Sequence, residues 1–161
     1  MRFRHLAGFG KRIEFWIIGE MLKQGLDVYI PLVDDFGIDA IVRRADGSFA
    51  EVQIKARSKD CGLGDAALFA GIPHELRDNY WFVFYSERMD RMWIMSSAEF
   101  VEHSSQNKRG KNEGSRSISL NGGKKSHASG KWEEYPRPQF VKFLVTDFNR
   151  LSTPLSRAAG A

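Results

Sequence analysis

The sequence predicts an α/β fold in which a central mixed β-sheet is flanked by helices on both sides. One segment near the N-terminus has the apolar spacing of a helix, and three short β-rich runs with turns between them follow it. Residues 80–86 then form a continuous apolar and aromatic run, YWFVFYS. A strand without alternation is typical of the middle of a sheet that is covered on both faces. With 161 residues, the chain is expected to fold as one domain over residues 1–161.

The first predicted element is an amphipathic helix over Gly10–Gln24. Phe15, Ile18 and Leu22 have the i, i+3, i+7 spacing of one helix face, which we expect to pack on the sheet. Glu14 lies on the flank of this face.

Three strands are predicted next, at Asp27–Leu32, Ile38–Arg44 and Ser48–Ala56. The dipeptide Asp46-Gly47 supplies the hairpin turn between the second and the third.

The remaining chain alternates between short helices and strands. We expect a short helix beginning over Asp65–Phe69, the strand Tyr80–Ser86, a strand over Met92–Met95, a short helix over Ser97–His103 and a closing helix over Gln139–Leu151. The Gly-, Ser- and Lys-rich residues 106–131 are expected to form mobile loops, with one strand-like island over Ser117–Leu120 at the sheet margin.

Polar side chains occupy one face of the third strand. Because strand side chains alternate between faces, Glu51, Gln53 and Lys55 share a face, opposite the apolar residues between them. Asp39 stands at the start of the second strand, just after Gly37-Ile38. An acid on one strand that faces an amide and a lysine on the next is typical of a metal-and-lysine site.

The order of these residues resembles the PD-(D/E)XK nuclease superfamily, which has a restriction-endonuclease-like αβββαβ core and includes Holliday-junction resolvases. In that family an acid follows a Gly-x step on the second strand, as in Gly37-Ile38-Asp39. The third strand of the family carries Asp/Glu-x-Lys, and Gln53-Ile54-Lys55 stands in that place as a Gln-x-Lys variant. The resemblance covers roughly residues 10–90.

The resemblance implies a metal-dependent endonuclease that hydrolyses DNA phosphodiester bonds. The implied ligands of Mg²⁺ or Mn²⁺ are Asp39, Gln53, the main-chain carbonyl of Ile54 and Glu14. These are hard oxygen donors, which Mg²⁺ prefers. Lys55 is expected to orient the attacking water and to stabilise the charge of the transition state.

Positive charge is concentrated in one part of the chain. Residues 106–131 carry seven Lys and Arg against one Glu, a net charge of +6, whereas the whole chain carries +4. Such a segment favours a polyanion through counterion release. The predicted nucleic-acid contacts are Lys108, Arg109, Lys111, Arg116, Lys124 and Lys125. The alternative is a solvated loop whose lysines serve solubility.

The remaining bulk properties indicate a soluble protein with a cytoplasmic location. No apolar run approaches the length of a membrane span. The one cysteine, Cys61, has no internal partner and is consistent with a reducing compartment.

Three functions remain open at this point. The first is a metal-dependent DNA endonuclease. Nucleases of this size often assemble as homodimers to cut both strands, so a homodimer is expected in that case. The second is an inactive nuclease-fold protein that only binds DNA. The third is a partner-binding protein that dimerises through its aromatic strands. Metal-dependent cleavage separates the first from the others, and salt-sensitive DNA binding separates the second from the third.

Overall fold

The computed structural model describes residues 6–154. Its helices are α1 (Leu6–Lys23), α2 (Ser97–His103), a 3-10 helix (Pro138–Phe143) and α3 (Asn149–Ser152). Its strands are β1 (Asp27–Tyr29), β2 (Ala40–Arg43), β3 (Phe49–Arg57), β4 (Leu68–Ile72), β5 (Tyr80–Ser86), β6 (Arg91–Ser96), β7 (Ser105–Gln106), β8 (Arg116–Ser119), β9 (Asn121–Lys125), β10 (Trp132–Pro136) and β11 (Leu144–Val145).

Six of the strands form the central sheet, in the order β1-β2-β3-β5-β6-β11. The β3–β5 pair is parallel and its neighbours are antiparallel, so the sheet is mixed. α1 packs on one face of the sheet and α2 on the other. The predicted α/β fold with a central mixed sheet flanked by helices is therefore confirmed.

One face of the sheet is aliphatic and lies under α1. Ile17 and Met21 of α1 are fully buried against Val42, Val52 and other small or branched side chains of β2 and β3. The predicted contact face of this helix is partly wrong. Phe15 and Leu22 are 53% and 54% exposed, because the face is rotated toward Ile17 and Met21.

The other face is aromatic. Phe82 and Phe84 of β5 are fully buried against Phe100 of α2, and the rings of Phe82 and Phe100 lie 4.4 Å apart. A second, three-stranded sheet in the order β4-β8-β7 and the 3-10 helix complete this layer. Ser96 begins α2 with a reciprocal capping box to Glu99, which fixes where the helix leaves β6.

Two predicted helices are wrong. The residues expected to begin a helix at Asp65–Phe69 lead instead into β4, because pairing with β8 satisfies their backbone and buries Phe69. The predicted helix over Gln139–Leu151 is divided into the 3-10 helix, β11 and α3. Here the free edge of β6 pairs with Leu144 and Val145, and this tertiary pairing overrides the helical spacing.

The basic segment is more ordered than predicted. The expectation of loops is wrong for Asn121–Lys125, which form β9. The strand-like island does form, but as the middle strand of the second sheet rather than at the margin of the central one.

Residues 1–5 and 155–161, and hence part of the predicted single domain over 1–161, lie outside the described residues. No helix within residues 6–154 has the length and apolar character needed to cross a membrane.

Candidate active site

Asp39 is fixed at the junction of β2 and β3. Its backbone N–H donates to the carbonyl of Val52 at 2.9 Å, and Ala40 pairs with Val52, so Asp39 lies across from Gln53. Its carboxylate oxygen Oδ2 accepts a hydrogen bond from the N–H of Ile54 at 2.7 Å. The carboxylate thus replaces a backbone partner for β3 at the point where the regular pairing of β2 ends.

The same hydrogen bond shows which way the carbonyl of Ile54 points. The N–H and C=O of one residue in a strand point toward the same edge of that strand. Because the N–H of Ile54 bonds to Asp39, its carbonyl oxygen also points to the β2 side, away from β5. A main-chain oxygen and the carboxylate therefore lie on the same edge of β3.

Burial and neighbouring charges act on the carboxyl of Asp39. Burial raises its pKa above the ordinary value, and the hydrogen bond from Ile54 opposes this rise. The negative charges of Glu14 and Asp34 raise this pKa further, while Lys55 lowers it. Acids therefore surround Asp39 on more than one side, and a cation placed among them would be stabilised.

Glu14 reaches this cluster from α1. It is 9% exposed and its Oε1 accepts a hydrogen bond from Nζ of Lys11 at 2.7 Å. This hydrogen bond raises the pKa of Lys11, and the charges of Asp39 and Asp34 raise it too. Lys11 was missed from the sequence, although its i, i+3 spacing to Glu14 on a helix was a signal that could have found it. Glu20 pairs with Lys23 at 3.7 Å instead.

The turn before Asp39 is built around Gly37. Its φ is +68°, and an added Cβ would lie 2.6 Å from Nε2 of Gln53, so only glycine fits without moving that amide. The hydroxyl of Tyr80 donates to the carbonyl of Gly37, and the N–H of Ile38 donates to Oδ1 of Asp34 at 2.7 Å. The turn is thereby fixed against Gln53.

Arg77 supports the turn from the far side. Its guanidinium donates to the carbonyl of Phe36 at 2.9 Å, forms an ion pair with Glu51 and lies 4.1 Å from the ring centre of Tyr80. Glu51 is thus engaged in this ion pair, whereas Asp35 lines the adjacent groove. Neither Arg77 nor Tyr80 was singled out from the sequence, because nothing local to them reveals their contacts.

Lys55 lies on the same side of β3 as Gln53, half-buried and beside Phe84 of β5. Its charge acts on Asp39, but within the described part of the chain the two form no direct ion pair. Asp39 thus lies at a corner of the sheet where two charges act on it: Glu14 approaches from the α1 face, and Lys55 lies with Gln53 on the opposite face. Ile54 contributes its N–H to the same carboxylate.

A groove of about 780 Å³ opens beside this corner, between the turn at Gly37, the segment after β4 and the loop between β7 and β8. Gln53 and Lys111 both line it. Lys108 and Arg109 are exposed in the same loop. Arg116 is half-buried and donates to the carbonyl of Val101 at 3.3 Å, so it supports the second sheet.

His74 lies in the wall of this groove. Its Nε2 is 2.7 Å from Oγ of Ser97, and its ring stacks on Tyr80 with centres 5.0 Å apart. Burial lowers the pKa of His74 to about 4, and the charges of Arg77 and Arg116 contribute. The imidazole is therefore neutral at pH 7 and acts as a packed aromatic group.

Among residues 6–154, no three His, Cys, Asp or Glu side chains group closely enough to hold a metal ion. The oxygen donors near Asp39 are its own carboxylate, that of Glu14, the amide of Gln53 and the main-chain carbonyl of Ile54. All of them are hard oxygen donors of the type that Mg²⁺ binds with several waters. The chemistry of these donors fits Mg²⁺ or Mn²⁺.

Neither the scan against protein-family models nor the search of curated proteins finds a match for the chain. Among solved structures, the chain is similar to a bacterial homing endonuclease, I-Ssp6803I, with a TM-score of 0.53 and 18% sequence identity. The similarity covers 70% of this chain and 89% of that one. At this identity the likeness shows the fold, which is an endonuclease-like arrangement of a mixed sheet and helices.

Proposed function

We propose that this chain is a metal-dependent endonuclease that hydrolyses DNA phosphodiester bonds, built on the Gln-x-Lys form of the PD-(D/E)XK site. The observation that carries the proposal is the corner around Asp39. There a half-buried carboxylate feels the charges of Glu14 and Lys55 and accepts a hydrogen bond from the N–H of Ile54. The endonuclease-like fold is consistent with this function.

The residues of the corner take separate roles in the proposed reaction. Asp39 and Glu14 supply carboxylate oxygens, and Gln53 and Ile54 supply neutral oxygens, for Mg²⁺ or Mn²⁺. When bound, this ion would neutralise phosphate charge and lower the pKa of a water. Lys55 orients the attacking water and stabilises the added negative charge on the phosphate as a fixed cation. Lys111, in the groove wall, and the exposed Lys108 and Arg109 hold the DNA backbone.

Cleavage of supercoiled and linear DNA, with Mg²⁺, with Mn²⁺ and with EDTA, tests the proposal. We expect wild type to cut only with a divalent ion and Asp39→Ala to fall to background. Lys55→Ala should lose about 10²- to 10³-fold in rate, as is typical when one stabilising group is removed from a transition state. Asp27→Ala, an exposed acid on β1, is the control and should cut like wild type. Equal cleavage by wild type and Asp39→Ala would refute the assignment.

A second function is favoured by one specific feature of the site. Gln53 stands where the superfamily commonly has an acid, and this removes one negative charge from the metal site. A chain that binds DNA in a salt-dependent way, yet cuts none with either ion, would be an inactive nuclease-fold DNA-binding protein. Calorimetric titration of Mn²⁺ into wild type, Asp39→Ala and Gln53→Glu separates the two. An active site requires binding that Asp39→Ala weakens and Gln53→Glu tightens.

A further inference from the structure

The hairpin of β9 and β10 forms a two-stranded ribbon of its own. Its register runs from Asn121 opposite Pro136 to Lys125 opposite Trp132, and neither strand joins another sheet. Most of its side chains beyond the base are exposed. An isolated two-stranded hairpin is only marginally stable in water, so this one needs other contacts to hold its shape.

Those contacts lie at the base and in the middle of the ribbon. At the base, Asn121 is 1% exposed and its side chain accepts from the N–H of Ala67 at 2.8 Å. Arg137 donates to the carbonyl of Asn121 at 2.8 Å. In the middle, Glu134 lies opposite Gly123, accepts from the N–H of Gly64 at 2.8 Å and forms an ion pair with Arg88 at 3.1 Å. The two outer residue pairs and the turn lie beyond these contacts.

Two glycines of β9 lie in the middle of the ribbon, beneath aromatic rings of β10. Gly122 and Gly123 lie under the rings of Tyr135 and Trp132, and an added Cβ would come within 2.9 Å and 2.4 Å of those rings. Glycine at these two positions lets both aromatic rings lie flat on the strand. The rings remain 40% and 45% exposed, so they cover the ribbon without being covered themselves.

The tip is basic. Lys124, Lys125 and Lys131 are exposed there, and Glu133 is the exposed acid of the same strands. Glu134 faces the body in its ion pair with Arg88. The turn is closed by hydrogen bonds from the N–H of Ser126 to the carbonyl of Lys131 and from the N–H of Gly130 to the carbonyl of Ser126, so these charges are presented on a formed tip.

We propose that this ribbon enters the major groove of double-stranded DNA. The inference rests on the proposed function and names its partner as duplex DNA, read by a surface separate from the Asp39 corner. A major groove about 12 Å wide and about 8.5 Å deep admits a two-stranded β-ribbon. The part that would enter is the tip beyond Glu134, formed by the two outer residue pairs and the turn. The lysines at the tip face the phosphates on either side of the groove.

The major-groove contact is tested by measuring the affinity of the chain for three DNAs. These are a 40-bp duplex, a single strand of the same length, and a duplex whose cytosines carry glucosylated hydroxymethyl groups. The glucose projects into the major groove at each modified cytosine, so a duplex rich in C·G pairs is used. We expect glucosylation to weaken wild-type binding by about tenfold or more. Netropsin, which fills the minor groove, should leave the affinity unchanged.

The variants pair a change at the tip with a matched change elsewhere. Lys125→Gln with Lys131→Gln should weaken duplex binding, lower the salt slope by about 2 and reduce the preference for duplex over single strand. Lys23→Gln with Lys142→Gln removes the same charge from exposed positions outside the ribbon and should change each quantity less. A chain with residues 126–131 shortened to Asn-Gly should become insensitive to glucosylation.

Each outcome decides the inference. If duplex binding and cleavage persist when the tip is changed, the proposed role of the ribbon is wrong and the nuclease proposal stands. The same holds if the two lysine pairs have equal effects. Binding that netropsin weakens and glucosylation leaves unchanged would also overturn the proposed major-groove contact. A wild-type chain that binds no duplex would overturn both.

Discussion

Strands β3 and β5 lie side by side, parallel and in register, yet they present opposite chemistry on the same face of the sheet. Glu51, Gln53 and Lys55 of β3 pair with Tyr80, Phe82 and Phe84 of β5, respectively. The row on β5 is buried under α2 and the second sheet, whereas the row on β3 is half-exposed beside a groove. The side chains of Glu51, Gln53 and Lys55 therefore do not form part of the buried aromatic layer.

The difference lies in what covers each row. Phe82 contacts Phe100 and His74 with ring centres 4.4 Å and 4.8 Å away, so its burial is shared by several elements. Gln53 contacts the turn at Gly37 and then faces open space. We infer that the aromatic row contributes stability and holds the polar row in place.

The largest expected effect sets these two neighbours against each other. Phe82→Ala should lower the free energy of unfolding by about 3–5 kcal/mol, because it leaves a cavity in the aromatic layer. Gln53→Ala, the matched change across the strand pair, should lower it by less than about 1 kcal/mol. Urea denaturation of both variants measures the contrast. Similar losses in the two would mean that the polar row is structural and would count against its role in a site.

A smaller effect sharpens the electrostatics of the polar corner. Lys11 neutralises Glu14 at 2.7 Å and competes with any cation there. Lys11→Met should therefore tighten Mn²⁺ binding by roughly three- to tenfold, since one nearby charge is worth about 1 kcal/mol in a solvated site. Calorimetric titration provides the measurement.

The same helix supplies the control for this change. Lys23→Met removes a lysine with the same i, i+3 relation to an acid, Glu20, outside the corner. Its Mn²⁺ affinity should match wild type. If both variants tighten binding equally, the effect comes from net charge and Glu14 has no special position.

The smallest expected effect concerns the charge on Asp39. The pKa of Asp39 is raised in the folded chain, so between its unfolded and folded pKa values the folded chain holds a proton that the unfolded chain has lost. The free energy of unfolding therefore falls as the pH rises through this window. Asp39→Asn should therefore raise the melting temperature at pH 7 by about 2 °C, the shift of a change below 1 kcal/mol in a domain of this size. The gain should vanish as the pH falls below that window.

Asp46 is the control for this prediction, because its pKa is shifted in the opposite direction. Its side chain accepts from Ser48, which lowers its pKa, so Asp46→Asn should not raise the melting temperature at pH 7. Thermal unfolding of both variants across pH 3–8 provides the comparison. An Asp39→Asn chain that melts below wild type at pH 7 would show that the charged carboxylate stabilises the fold.

The sequence by itself was sufficient where the signal is local. Period-two alternation indicated the polar face of β3, the unbroken aromatic run gave β5 its bounds, and Gly37 marked the turn before Asp39. These features depend on a residue and its near neighbours in the chain, so the sheet and the candidate residues on it could be predicted.

Only the tertiary structure decided the features that depend on distant partners. The free edge of β6 turned the expected closing helix into β11, and the sheet rotated the buried face of α1 away from Phe15. The meeting of Lys11 and Glu14 with Asp39, about 25 residues apart in the chain, follows from that packing of α1 on the sheet. Burial and electrostatic free energies are set by neighbours in space, and spacing along the sequence does not specify which neighbours those are.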